Sequence, residues 1–111
     1  MSNILREHGI ENKKDRYNLS KAPGANLSDM VGQRLEVKAY LLYEDAANDT
    51  GELRKTLKIM TPDGEICGTR SKSYIEGFEE YLDFMEDDVI ESVGVEQKRS
   101  KNGRNYLVFV A

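Results

Sequence analysis

With 111 residues, the chain is long enough for one domain around one core and too short for two. Hydrophobic residues make up 39% and charged residues 32%, at a formal net charge of −4; no apolar run approaches the roughly 18 residues that crossing a bilayer takes, so a membrane protein is excluded from the expectations. The single cysteine, Cys67, excludes an internal disulfide, and MSNILREHGIENKKDR lacks an apolar signal segment, so the expected setting is a reducing cytoplasm.

Residues 1–30 read as a partly ordered N-terminal extension. They show no sustained period of 2 or 3.6, and Ala22-Pro23-Gly24-Ala25-Asn26 is a breaker. Lys13, Lys14, Arg16, Tyr17 and Lys21 would allow this segment to lie along the domain or to act as a basic arm.

The domain proper is expected over residues 31–111. In RLEVKAYLLYE, Leu35, Val37, Ala39 and Leu41 alternate with Glu36, Lys38 and Tyr40, the pattern of a half-buried strand. After the polar connection DAANDTGE, LRKTLKIM alternates again, with Leu57 and Ile59 on one face and Arg54, Thr56 and Lys58 on the other. Thr61-Pro62-Asp63-Gly64 is a tight turn, and EICGTRS reads as a third strand.

Ser73-Tyr74-Ile75-Glu76 matches a helix capping box, and Ile75, Phe78, Leu82 and Met85 recur at helical spacing, which predicts a helix over residues 74–85. Its outer face carries Glu76, Glu79, Glu80 and Asp83. From Tyr74 to Glu91 there are 8 acidic residues and no Lys or Arg, so the rest of the chain sets 16 basic residues against 12 acids (20 less 8). An acidic total therefore leaves room for a basic surface. Two further strand-like runs, VIESVGVEQKR and NYLVFVA, flank Asn102-Gly103, a hairpin signal.

Three strands, one helix and two strands is the order of a mainly β, five-stranded OB-fold-like barrel with its helix between the third and fourth strands. An SH3-like barrel or an α+β sheet with one helix stays open, because strand order in space is not contained in the sequence. The block KTLKIMTPDGEICGTRSKSYIEGFEEYL and the ending SKNGRNYLVF resemble the small OB-fold single-stranded DNA-binding proteins of bacteriophages and related mobile elements. The resemblance covers roughly residues 33–111. It implies a non-catalytic protein without a cofactor that binds single-stranded DNA with little sequence preference. It also implies a part in phage or mobile-element DNA replication or recombination, in the cytoplasm of a bacterial host cell. Replication or recombination proteins are then the expected protein partners, and an open strand edge is compatible with a homodimer. Bacterial proteins of this kind usually end in an acidic, Phe-tipped tail; here the sequence stops at Val110-Ala111, so recruitment is expected to use another surface.

Sequence-tolerant binding to a single strand needs cations along the phosphates and aromatic faces for the bases. The cations expected to supply it are Lys38, Arg54, Lys58, Arg70 and Lys72, with Lys98, Arg99, Lys101 and Arg104 on the last hairpin. Tyr40, Tyr43 and Tyr106 are the candidate stacking residues, with Phe109 competing. Pairing the hairpin symmetrically about Asn102-Gly103 sets Tyr106 opposite Arg99 on the face of Val93 and Val95, and Phe109 with Lys98; a different loop length reverses this. No residue identifies a reader of the 2′-hydroxyl, so RNA stays open as a ligand.

An alternative is a small protein-binding module, an inhibitor or nucleic-acid mimic that uses the acidic helix surface. Enzyme chemistry is not expected. His8 and Cys67 have no partner in a nucleophile–base or metal-ligand pattern, Asp45, Asn48, Asp49 and Glu52 do not fit an EF-hand, and no phosphate-cradling Gly-rich run is present.

Overall fold

The computed structural model describes residues 3–46, 50–86 and 89–111. The chain is mainly β, with strands β1 (Asn3–His8), β2 (Ala25–Asn26), β3 (Arg34–Glu36), β4 (Ala39–Ala46), β5 (Leu53–Met60), β6 (Ile66–Thr69), β7 (Ser92–Arg99) and β8 (Asn105–Val110). Helix α1 spans Lys13–Lys21 and α2 spans Lys72–Met85, and a 3₁₀ turn covers Leu27–Met30. No helix is long and apolar enough to cross a membrane.

The strands form two sheets, of order β1-β4-β5-β6-β2 and β3-β7-β8. The first predicted strand is in fact two. Val37 donates its amide to Glu91 at 2.8 Å, while Lys38 donates to Met60 at 2.9 Å, so one kink hands the chain from the small sheet to the large one. No strand ladder closes the sheets into a barrel among the described residues, which corrects the five-stranded barrel expected from the sequence. α2 instead packs across β8 and β5.

A second helix is also a departure from the expectation of one. Asn12 caps α1, its side chain accepting from the Asp15 amide at 2.8 Å, and Pro23 follows its end. Arg16 grips Glu7 through two hydrogen bonds of 2.5 and 2.6 Å, which ties α1 to β1. Residues 3–30, read from the sequence as an extension, thus contribute β1 along β4 and β2 along β6.

α2 buries Tyr74, Ile75, Phe78 and Leu82 against Leu42, Leu57, Ile59, Val93, Val95 and Leu107. On the opposite face of the large sheet, Leu19 of α1 packs with Leu41 and Tyr43. β4 is therefore buried on both sides over Leu41, Leu42 and Tyr43, where alternation alone predicts a half-buried strand.

The helix starts two residues earlier than the capping-box pattern implies. Ser71 is the N-cap, its hydroxyl accepting from the Tyr74 amide at 3.4 Å. The Ser73 hydroxyl is left free to donate to the Leu107 carbonyl of β8 at 2.7 Å.

Candidate nucleic-acid interface

The strand period places Arg54, Thr56 and Lys58 on one face of β5, and the register continues that face through Tyr43 on β4 and Gly68 on β6. α1 covers one end of it. At the other end lies a cleft of about 570 Å³ between the segment Ser20–Asn26 and the strands, lined by Lys21, Tyr43, Asp45, Thr56, Lys58 and Arg70 among others. The Tyr43 hydroxyl donates to the Ser20 carbonyl at 3.2 Å, and Lys58 Nζ to the Ala22 carbonyl at 2.7 Å. Gly68 makes room for this lysine: a Cβ there would stand 3.1 Å from Lys58 Cδ.

Electrostatics in the cleft follow from this packing. Burial, and then the nearby charge of Arg70, push the Lys58 ammonium below its ordinary pKa. Arg70 Nε donates to Thr56 Oγ1 at 3.3 Å. Burial raises the Tyr43 phenol; its ring packs against Leu19 and is 6% exposed.

The second cationic group sits on the hairpin. Ser100 donates its amide to Arg104 at 2.8 Å, Gly103 donates to Ser100 at 3.0 Å, and Gly103 takes φ 79°, which together form a turn followed by a glycine bulge. The loop is one residue longer than a connection symmetric about Asn102-Gly103, and this fixes the side-chain faces. Tyr106 stands opposite Lys98, not Arg99, and Phe109 stands opposite Val95, not with Lys98. Phe109 packs among Tyr74, Phe78 and Tyr81, with ring centroids 5.6, 5.8 and 5.3 Å away. Tyr106 points outward and is 40% exposed. Lys98, Arg99, Lys101 and Arg104 are all exposed, and Arg99 Nε folds back to the Gly103 carbonyl at 3.4 Å.

The start of α2 links the elements that carry these two groups. Arg70 lies between β6 and α2 and Lys72 opens α2, and the Ser73–Leu107 bond pins the first turn of the helix to β8 one residue from Tyr106. Arg54, Arg70 and Lys72 also line a second cavity of about 330 Å³ together with Lys55, Glu76 and Glu79. There Lys55 meets Glu79 at 2.8 Å, and elsewhere on the helix Asp83 accepts from Arg6, so two of the helix carboxylates are engaged within the fold.

Lys38 and Tyr40 fall apart from these groups. Lys38 is exposed at the kink and lines a different cavity with Ile10, Leu19 and Met60. Tyr40 lies on the α2 side of its strand, edge-on to Phe78 at 5.2 Å and stacked on His8 at 5.8 Å. Of the connection DAANDTGE, residues 47–49 lie outside the described residues, as does part of the acidic run, residues 87–88.

Sequence reasoning did not find Gly68, or the Ser20 and Ala22 carbonyls that accept from Tyr43 and Lys58 at the cleft. Nothing local marks them, because their partners lie across the sheet. Cys67 is buried, and burial together with the charges of Glu65 and Asp63 holds its thiol above the ordinary pKa. Among the described residues no group of three or more His, Cys, Asp or Glu is placed to hold a metal ion. No family model matches the chain, and neither a curated protein nor a solved structure does.

Proposed function

We propose that this protein binds single-stranded DNA with little sequence preference. The observation that carries the reading is a pair of cationic groups, Lys58 and Arg70 in the cleft of the large sheet and Lys98, Arg99, Lys101 and Arg104 exposed on the hairpin, with Lys72 at the start of α2, whose first turn is bonded to β8 through Ser73 and Leu107. Tyr106, exposed and opposite Lys98, supplies an aromatic face on the hairpin.

The strand order supports an OB-like architecture that is open rather than closed. A kinked strand shared by two sheets, two antiparallel strands, a helix and a final hairpin is the sequence of parts that such a fold uses. With this architecture goes the proposed setting, replication or recombination of phage or mobile-element DNA in a bacterial cytoplasm. The outer edge of β1, which pairs only with β4 among the described residues, offers a place for a homodimer. The acidic face of α2 serves the scaffold in this reading, since Lys55 and Arg6 take up two of its carboxylates.

Affinity arises from counterion release at the phosphates and from stacking, so it falls steeply with salt. Fluorescence anisotropy with labelled oligo-dT and with a duplex of equal length, at low and moderate salt, tests the proposal. The expected outcome is tighter binding to the single strand and a negative log–log salt slope. Absence of single-strand binding at low salt overturns it.

A further inference from the structure

We infer that the cleft between Ser20–Asn26 and strands β5 and β6 is a seat for the phosphate group of a nucleotide, held by Lys58 and Arg70 with Lys21 at the rim. The inference deepens the single-strand reading and rests on it in one respect, that the phosphate belongs to a nucleic acid.

Three cations line the cleft, Lys21, Lys58 and Arg70, against one carboxylate, Asp45. Among the described residues neither Lys58 nor Arg70 has an acidic side chain within ion-pair distance. Two cations held close together without a counter-charge repel each other, and an anion between them removes that cost. Their donors are also partly unspent. An ammonium has three N–H groups, and Lys58 gives one to Ala22; a guanidinium has five, and Arg70 commits Nε to Thr56. The two terminal amino groups of Arg70 retain the fork geometry that suits a phosphate.

Shape points the same way. Gly68 removes the side chain that would otherwise crowd the Lys58 stem. The Tyr43 ring is covered by α1 and bonded to Ser20, so the cleft has no open aromatic face for a base. A phosphate enters and its base stays outside, which makes the seat blind to sequence. The phosphate has two sources, a free nucleotide or a strand, and both carry the chemistry that the seat recognises.

Two-dimensional amide NMR titrations with inorganic phosphate, dTMP and thymidine test the seat, alongside oligo-dT binding by anisotropy. Saturable shifts at Lys58, Gly68, Thr69 and Arg70 are expected with phosphate and dTMP, and none with thymidine. Arg70→Gln is expected to weaken dTMP and oligo-dT binding about tenfold, the scale of a lost charge-assisted hydrogen bond, with an otherwise superimposable spectrum. Lys58→Gln serves as the second variant and is expected to act in the same direction. Shifts that do not saturate, or that persist unchanged in both variants, overturn the seat. Saturable phosphate binding without any oligo-dT binding upholds the seat and overturns the strand proposal. Oligo-dT binding that neither variant alters overturns the seat and leaves the strand proposal standing. A loss confined to oligo-dT assigns both cations to the strand path and likewise overturns the seat.

Discussion

The Ser73 hydroxyl donates to the Leu107 carbonyl across 34 residues of sequence, at 2.7 Å. A serine in the first turn of α2 thus holds the strand that leads out of the basic hairpin, while the capping role falls to Ser71. Removing it leaves a strand carbonyl without this donor beside the buried Leu107. Ser73→Ala is expected to cost about 1 kcal/mol, a loss of roughly 4 °C in Tm. Oligo-dT affinity is expected to fall further than stability explains, because the first turn of α2 then no longer holds the strand that carries Tyr106. Thermal melts and anisotropy on the same variant check both parts.

Gly77 looks like a weak point when α2 is considered alone, because alanine is the better helix former by about 1 kcal/mol. Its setting reverses the sign. A Cβ at this position would lie 2.7 Å from the Phe109 Cβ, an atom fixed by the β8 backbone rather than by a flexible side chain. Gly77→Ala is expected to lower Tm despite its gain in propensity, since overpacking of this kind costs about 1–3 kcal/mol. A rise in Tm would show that α2 and β8 separate freely.

Local signals explain what was legible in the sequence. The alternation of Leu57 and Ile59 with Thr56 and Lys58, the spacing of Phe78 and Leu82, and Asn102-Gly103 each act within a few residues, and the strand, helix and hairpin formed where they stand. α1 was not legible because it buries only Leu19, which leaves no apolar stripe to read. β1 was hidden for a related reason: NILREH has no two-residue alternation, and its partner β4 lies far along the chain. The kink at Val37-Lys38 depends on two amides choosing different sheets, which alternation does not encode. Within the site, the shared face of Arg54 and Lys58 was legible from parity. The fates of Tyr40 and Tyr43 were not, because α2 and α1 arrive over them from elsewhere in the sequence.

The hairpin cations are expected to contribute binding rather than stability. Arg99, Lys101 and Arg104 are exposed and form no ion pair among the described residues. The triple variant Arg99→Glu, Lys101→Glu, Arg104→Glu is expected to abolish oligo-dT binding while stability stays within about 1 kcal/mol of the parent. Replacing these residues by Gln instead should reduce the log–log salt slope by about two, at roughly 0.7 per neutralised phosphate of a single strand. Reversal of Glu76 and Glu80 to Lys is the control, and it should leave oligo-dT binding intact or raise it. If that control abolishes binding to a basic protein partner while the hairpin variant has no effect on oligo-dT, the acidic surface is the working one.

Tyr74 makes stability sensitive to alkali. Its phenol is fully buried and donates to the Gly94 carbonyl at 3.2 Å, and burial raises its pKa against a small opposing effect of Arg34. The unfolded chain ionises this phenol near pH 10 while the folded chain still holds the proton. The unfolded state therefore binds fewer protons above that pH, and unfolding free energy declines as pH rises. The stabilisation is fully present below about pH 10 and is lost above it. Tyr43 and Cys67 are shifted in the same direction, the thiol adding its loss from a lower pH. Tyr74→Phe is expected to be about 1 kcal/mol less stable at neutral pH and to show a flatter alkaline decline. Urea midpoints measured from pH 8 to pH 11 check it; parallel declines in the two proteins would remove Tyr74 from the account.

Tyr106 and Phe109 separate binding from folding on one strand. Their side chains leave β8 on opposite faces because they stand three residues apart, and the register set by the bulged loop turns Phe109 to the core and Tyr106 outward, so the same substitution has two different consequences. Phe109→Ala removes the ring that Tyr74, Phe78 and Tyr81 enclose and is expected to cost about 2–4 kcal/mol, less than a fully buried ring would because Phe109 is half-buried. Its oligo-dT affinity, measured where the variant is still folded, should change little. Tyr106→Ala should leave the melting curve almost unchanged and weaken oligo-dT binding by about 1–3 kcal/mol, the range for one stacked base. Tyr106→Phe keeps the ring and should bind like the parent. If Tyr106→Phe binds as poorly as Tyr106→Ala, the hydroxyl rather than the ring face carries the contact, and stacking at this position is wrong.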